Sequence, residues 1–235
     1  MTTRSNAKTS RKPPRQARSQ ATVSAILEAT IRIFEKEGAD AATTTHIAQV
    51  AGVSVGTLYQ YFESRDAILD SLQDRELERA LLLMGDVLSD KNVQREPRAT
   101  VKAVVQSLAG MYAASPSLHR ALVVEGLRVT KPERVEAFDL RVVTIVRHFL
   151  AQTGARVRRP NLEAAAFVAF QAVRAVMLAR LLEKPVGLDE NAVEDELIDL
   201  VMRYLIDDPP PVSPSAPPAR SARSARPSPA ERRRR

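Results

Sequence analysis

The stretch that most constrains this chain is Thr43 to Phe62, TTTHIAQVAGVSVGTLYQYF, which carries two complete helix start signals and a helix stop between them. Thr43 can accept a hydrogen bond from a free N–H at a helix start. Ile47, Ala48, Val50 and Ala51 put an apolar face on the short helix that follows. Gly52 stops it, because glycine takes the left-handed turn that a side chain resists. Ser54 can cap a second helix running from Val55 to Tyr61. Two short helices joined by a turn of about three residues form a helix-turn-helix, whose second helix enters the DNA major groove. The small Ala48 lets the helices cross closely, with Ile47, Val53 and Leu58 as the buried wedge. The spacing alone is also compatible with an ordinary pair of core helices.

The flanking residues narrow this choice. From Ala51 to Leu69 the chain reads AGVSVGTLYQYFESRDAIL. Together with the glycine at 38 and the threonine-rich helix start, this run resembles the DNA-binding domain of the TetR family of bacterial repressors. The match spans Gly38 to Leu69, and two positions depart from it. Arg65 replaces the family's usual lysine and keeps the charge. Val55 stands where a basic or polar residue is common, so a base contact there would be apolar. The resemblance implies that Thr57, Tyr59 and Arg65 meet phosphates, while Thr45, Val55, Gln60 and Tyr61 project towards base edges. A glutamine can make two hydrogen bonds to adenine, and a valine can touch a thymine methyl. With Thr43, Ser54 and Gly56 these residues complete the expected contact set on double-stranded DNA.

Composition bounds the remainder. A chain of 235 residues can build one or two domains with a sizeable core. It contains no Cys and no Trp, which excludes structural disulfides, thiol chemistry and Cys-based metal sites. No uninterrupted apolar run reaches the roughly 20 residues of a membrane span. The basic N-terminus leads into no apolar segment, so it does not read as a secretory signal, and a cytoplasmic protein is expected. The net charge of +7 is unevenly placed. Residues 1–18 hold six cations and no acid, and residues 209–235 hold seven Arg and one Glu, leaving the stretch between them acidic. Such basic ends are expected to be solvated and disordered, and beside a DNA-binding domain they can add phosphate affinity without sequence information.

In chain order, residues 1–17 read as a disordered basic arm. Helix 18–37 carries an inward stripe of Val23, Ile26, Leu27, Thr30, Ile33 and Phe34. Ser64 can cap a long helix, with Asp66 well placed in its first turn. That helix passes Ile68, Leu69 and Leu72 on its way to Leu88, and DRELERA at 74–80 reads as its solvated face. Further helices are expected at 97–115, 116–130, 132–152, 161–184 and 189–206, several opened by proline. The class is all-α: a helix-turn-helix domain over 18–65, a helical regulatory and dimerisation domain over 66–207, and a disordered Pro/Arg-rich tail over 208–235.

Helix 161–184 is apolar almost all round, so it must be buried on several sides. The resemblance implies a homodimer built from the last two helices, for which Val173, Val176, Met177, Arg180, Leu197 and Val201 are the expected interface. A two-fold dimer would read a palindromic operator. The resemblance also implies a pocket for a small apolar or aromatic effector, lined by Met111, His119, Leu122, Glu125, Phe138, Val142, Gln171 and Arg174. No metal-ligand spacing, phosphate loop or nucleophile signature is present, so neither cofactor, metal nor enzymatic activity is expected. The reading is a homodimeric repressor released by a small ligand. The alternative is a ligand-insensitive, loosely specific DNA-binding protein that uses its cationic tails.

Overall fold

The computed structural model describes residues 14–89, 96–129, 131–153, 157–183 and 187–206. The expected disorder of residues 1–13 and 208–235, including most of both basic ends, lies outside the described residues. Helices account for nearly all of the described chain: α1 (Pro14–Glu37), α2 (Thr44–Ala51), α3 (Val55–Tyr61), α4 (Arg65–Val87), α5 (Pro97–Ala114), α6 (Pro116–Val129), α7 (Pro132–Thr153), α8 (Leu162–Glu183) and α9 (Glu190–Leu205). A short 3-10 turn, Ala39–Ala41, separates α1 from α2.

The local signals act as their chemistry requires. Gly52 (φ 71°, ψ 29°) takes the left-handed turn that ends α2, and Gly38 follows α1 with an extended positive-φ backbone (φ 89°, ψ 167°) that glycine alone adopts freely. The side chains of Thr43, Ser54 and Ser64 accept from the backbone N–H of His46, Thr57 and Ala67, capping α2, α3 and α4. One boundary differs: α1 begins at Pro14, four residues ahead of the expected start, so residues 14–17 are helical rather than part of a disordered arm. A proline with fixed φ and no N–H suits the first helical position.

Two cores are buried. The first gathers Ile26, Ile33 and Phe34 of α1, Ile47 and Ala48 of α2, Leu58 of α3, and Ile68, Leu69 and Leu72 of α4. Leu118, Ala121 and Leu122 of α6 complete it, so α6 is packed into the DNA-binding unit. The second core lies further along the bundle, among α4, α5, α7, α8 and α9. Helix α4 contributes to both, with Leu81, Met84 and Leu88 at its far end in the second.

Among the described residues, helix α8 is long and apolar enough to cross a membrane by length and composition alone, with a mean hydropathy of 1.7 over an 18-residue window. It packs against α7 and α9 instead, and Gln171 and Arg174 both bond Asp139 of α7. Such polar pairing across packed helices marks a helix of a folded bundle.

Candidate nucleic-acid interface and interior cavity

The second helix of the motif is a displayed element. Leu58 is its fully buried residue and holds it against α2 through Ile47 and Ala48. Val55, Gly56, Tyr59, Gln60 and Tyr61 are exposed, and Ser54 and Thr45 lie exposed beside them. Val55, Tyr59 and Tyr61 are 37%, 52% and 37% exposed. Thr57 is half-buried, its hydroxyl 2.8 Å from that of Ser54. Tyr59 reaches back across the motif, its hydroxyl 3.2 Å from that of Thr44. His46 is tied to Glu37 at 3.0 Å. The face combines hydroxyls, an amide and apolar patches, the donor and acceptor mix that reads base edges and phosphates.

Arg65 is placed differently from the expectation. Its Nε donates to Ala42 O at 3.0 Å, its NH2 to Ala39 O at 3.0 Å and to Glu125 Oε1 at 3.1 Å, and its NH1 pairs with the other oxygen of Glu125. The guanidinium is thus spent inside the protein, clamping the start of α4 to the turn before α2 and to α6. The hydrogen bond to Glu125 raises its already high pKa further. Glu125, expected in the effector pocket, is that clamp's partner. A second tie joins the same surfaces: the backbone N–H of Leu118 donates to Glu35 Oε1 at 2.9 Å.

Between α4, α5, α6, α7 and α8 lies a cavity of about 640 Å³. Its walls are mainly Leu, Val, Met and Phe. Met111, His119, Leu122, Phe138 and Arg174 of the expected set line it; Val142 and Gln171 do not. Val142 is fully buried in the surrounding core, and Gln171 is turned to Asp139 at 3.2 Å. Besides Gln73 and Glu136, the wall carries two sets of paired polar groups. Arg174 sits 3.0 Å from Asp139, with its guanidinium 5.4 Å from the centre of the Phe170 ring. Glu76 and His119 face one another at 3.5 Å, and Tyr112 stacks edge-on against His119 at 4.9 Å.

Glu76 was missed, since the run 74–80 reads as solvated, yet it is 5% exposed. The signal was present in the register: Leu69, Leu72, Glu76, Ala80 and Met84 fall on one buried stripe of α4. Its carboxyl is held below the ordinary range, chiefly by His119 opposite and against the burial that would raise it.

The residues expected at the interface take these places within the single subunit. Met177, Leu197 and Val201 are buried within the subunit, Val173 lines the cavity and Val176 packs against the second core. Arg180 pairs with Glu194 of α9 at 2.8 Å. The apolar residues that α8 and α9 leave outward are Phe167, Val168, Leu182 and Leu200, each at least 40% exposed. Among the described residues no cluster of three potential metal ligands occurs.

Comparison with known proteins agrees with this geometry. Residues 26–72 match the family model for bacterial regulatory proteins of the tetR family, and residues 97–205 match the tetracyclin repressor-like C-terminal domain. A nucleoid occlusion factor, SlmA of Actinobacillus pleuropneumoniae serotype 5b, is 30% identical over 103 residues, 43% of this chain and 50% of that protein. The transcriptional repressor KstR of Mycolicibacterium smegmatis is 46% identical over 54 residues, 23% of this chain and 26% of its own. The chain thus matches half or less of these curated relatives. Among solved structures, SmeT, the repressor of the Stenotrophomonas maltophilia multidrug efflux pump SmeDEF, superposes with a TM-score of 0.63 at 19% identity, covering 81% of this chain and 93% of that one. SmeT has also been solved with triclosan.

Proposed function

Since the chain belongs to the TetR family and is a DNA-binding transcriptional regulator, we propose that it acts in the cytoplasm as a homodimeric repressor of a palindromic operator, released by a small, mainly apolar ligand rather than performing catalysis. The observation that carries this reading is the shared use of α4 and α6. Both wall the 640 Å³ cavity, and both are built into the core that supports α2 and α3. Whatever fills the cavity must press on the two helices that position the recognition surface.

The dimer is assigned to the outward face of α8 and α9, where Phe167, Val168, Leu182 and Leu200 remain uncovered. A two-fold pair of such subunits presents two copies of α3 to successive major-groove segments, about 34 Å apart or a multiple of it. The boundary between DNA-binding and regulatory units falls at the start of α4, where Ser64 caps and Arg65 clamps. Val55, Gln60 and Tyr61 read bases, while Thr57 and Tyr59 set the register on phosphates. A ligand lowers DNA affinity only by preferring the released arrangement, and DNA must weaken the ligand by the same factor.

The test is recovery of bound genomic fragments, followed by titration of the recovered site and of random DNA at physiological salt. A specific regulator prefers its site by at least about a thousandfold. Equal affinity for both would replace this reading with that of a loosely specific DNA coat.

A further inference from the structure

Two hydrogen-bond donors on the cavity wall are left over by the packing of the helices. Tyr112 of α5 and Arg174 of α8 both line the cavity. The Tyr112 ring is held edge-on against His119, with the ring centres 4.9 Å apart. Among the described residues nothing hydrogen-bonds its hydroxyl. Burial raises the pKa of that hydroxyl, and the charge of Arg174 works against the rise. The phenol is therefore a neutral O–H with a hydrogen to give. Arg174 uses only NH1 within the protein, on the two oxygens of Asp139 at 3.0 and 3.3 Å. Its guanidinium carbon stands 5.4 Å from the centre of the Phe170 ring. These contacts fix the guanidinium, and no described residue pairs with its Nε or NH2, which remain as donors.

We propose that the cavity takes an uncharged, mostly apolar compound carrying a carbonyl, and that the carbonyl oxygen accepts hydrogen bonds from the Tyr112 hydroxyl and the remaining N–H groups of Arg174. The inference rests on the ligand-responsive reading above and names the chemistry of its ligand. A carbonyl oxygen has two lone pairs and no hydrogen, so it takes both donors and leaves none of its own to place. A hydrocarbon presses the Tyr112 hydroxyl into apolar contact without a partner, which is costly for a buried polar group. A ligand carboxylate stands beside Asp139, which already matches the charge of Arg174, and Glu76 and Glu136 are further carboxylates on the same wall. An ammonium brings donors to a guanidinium that has only donors, and repels its charge.

The seat is independent of the charge on His119, whose ring serves only as the surface that holds Tyr112. A cavity of about 640 Å³ is far larger than one carbonyl group, so the body of the ligand lies against the Leu, Val, Met and Phe side chains of the wall. A carbonyl held by both donors joins α5 to α8 across that space.

The experiment is calorimetric titration of the full chain at neutral pH with four probes of one skeleton: diphenylmethane, benzophenone, diphenylacetate and benzhydrylamine. Benzophenone should bind at least about tenfold more tightly than diphenylmethane, as expected when one of its hydrogen bonds comes from a charged donor, and diphenylacetate should bind more weakly than benzophenone. In Tyr112→Phe, which keeps the ring and is checked for folding by circular dichroism, that advantage should fall at least about threefold. The infrared carbonyl stretch of bound benzophenone gives a second readout. Hydrogen bonding lowers its frequency, and the shift should shrink in Tyr112→Phe. The wild-type series and spectrum decide the matter even if the variant does not fold. Diphenylmethane binding as tightly as benzophenone, diphenylacetate or benzhydrylamine binding best, an unshifted stretch in the wild type, or an unchanged advantage or stretch in folded Tyr112→Phe overturns the carbonyl seat while leaving ligand responsiveness standing. Failure of all four probes to bind counts against both.

Discussion

Replacing Arg65 separates two roles that a cation at the foot of a recognition motif can play. Its guanidinium makes two bonds to backbone carbonyls and a two-pronged pair with Glu125, the side chains being 27% and 20% exposed. A hydrogen bond involving a charged group contributes roughly 1.5–3 kcal/mol when well buried, and partial exposure lowers that towards 1 kcal/mol. Arg65→Ala removes the pair and leaves the carbonyls of Ala39 and Ala42 without this donor, so it should cost about 3 kcal/mol. Glu125→Ala removes the pair and spares the two backbone bonds of Arg65, and should cost about 1–1.5 kcal/mol. The double variant should be no worse than Arg65→Ala, a coupling of about 1 kcal/mol in a double-mutant cycle read by urea unfolding. Additivity within about 0.3 kcal/mol would refute the clamp. DNA binding supplies the second readout. A positioning residue lowers affinity without changing the salt dependence. A fall of about one in the slope of log affinity against log salt for Arg65→Ala would mean that Arg65 leaves Glu125 for a phosphate.

Three further outcomes are expected. Gln60→Ala should relax preference at one base pair per half-site by roughly 1–3 kcal/mol, and selection from randomised sites returning an unchanged operator would remove Gln60 from the readers. Val168→Asp should give folded monomers by light scattering and lose operator binding, because a carboxylate on an apolar contact face is desolvated without a partner. Met177→Asp, facing the cavity wall, should instead lower stability, so a stable Met177→Asp monomer would move the interface back to the inner face. Glu76 has a pKa below its ordinary 4.5. Its stabilising contribution is therefore complete above that value and is lost as pH falls through the lower, folded one. Melting temperature should consequently fall less steeply for Glu76→Gln than for the wild type below about pH 4.5, and parallel curves would contradict this.

The recognition motif was legible in the sequence because each of its instructions is local. Thr43, Ser54 and Ser64 act on backbone groups three residues away, and Gly52 acts on its own φ, so no distant residue need be known. The all-α class and the helix limits followed from the same short-range periodicity, and the start at Pro14 differs only because a proline is as acceptable a first residue as Arg18. What a side chain meets across the bundle was not legible. Arg65 finds Glu125 sixty positions later, and the cation expected on phosphate becomes an internal clamp. Glu76 sits in a charged run yet is buried, because α6 brings His119 onto its side of α4. Helix α8 shows the reason most plainly. A helix apolar all round has no phase from which to read its inward side, so only the packing of α5, α6, α7 and α9 around it determined that Val173 and Met177 face the interior and Phe167 and Val168 face outward.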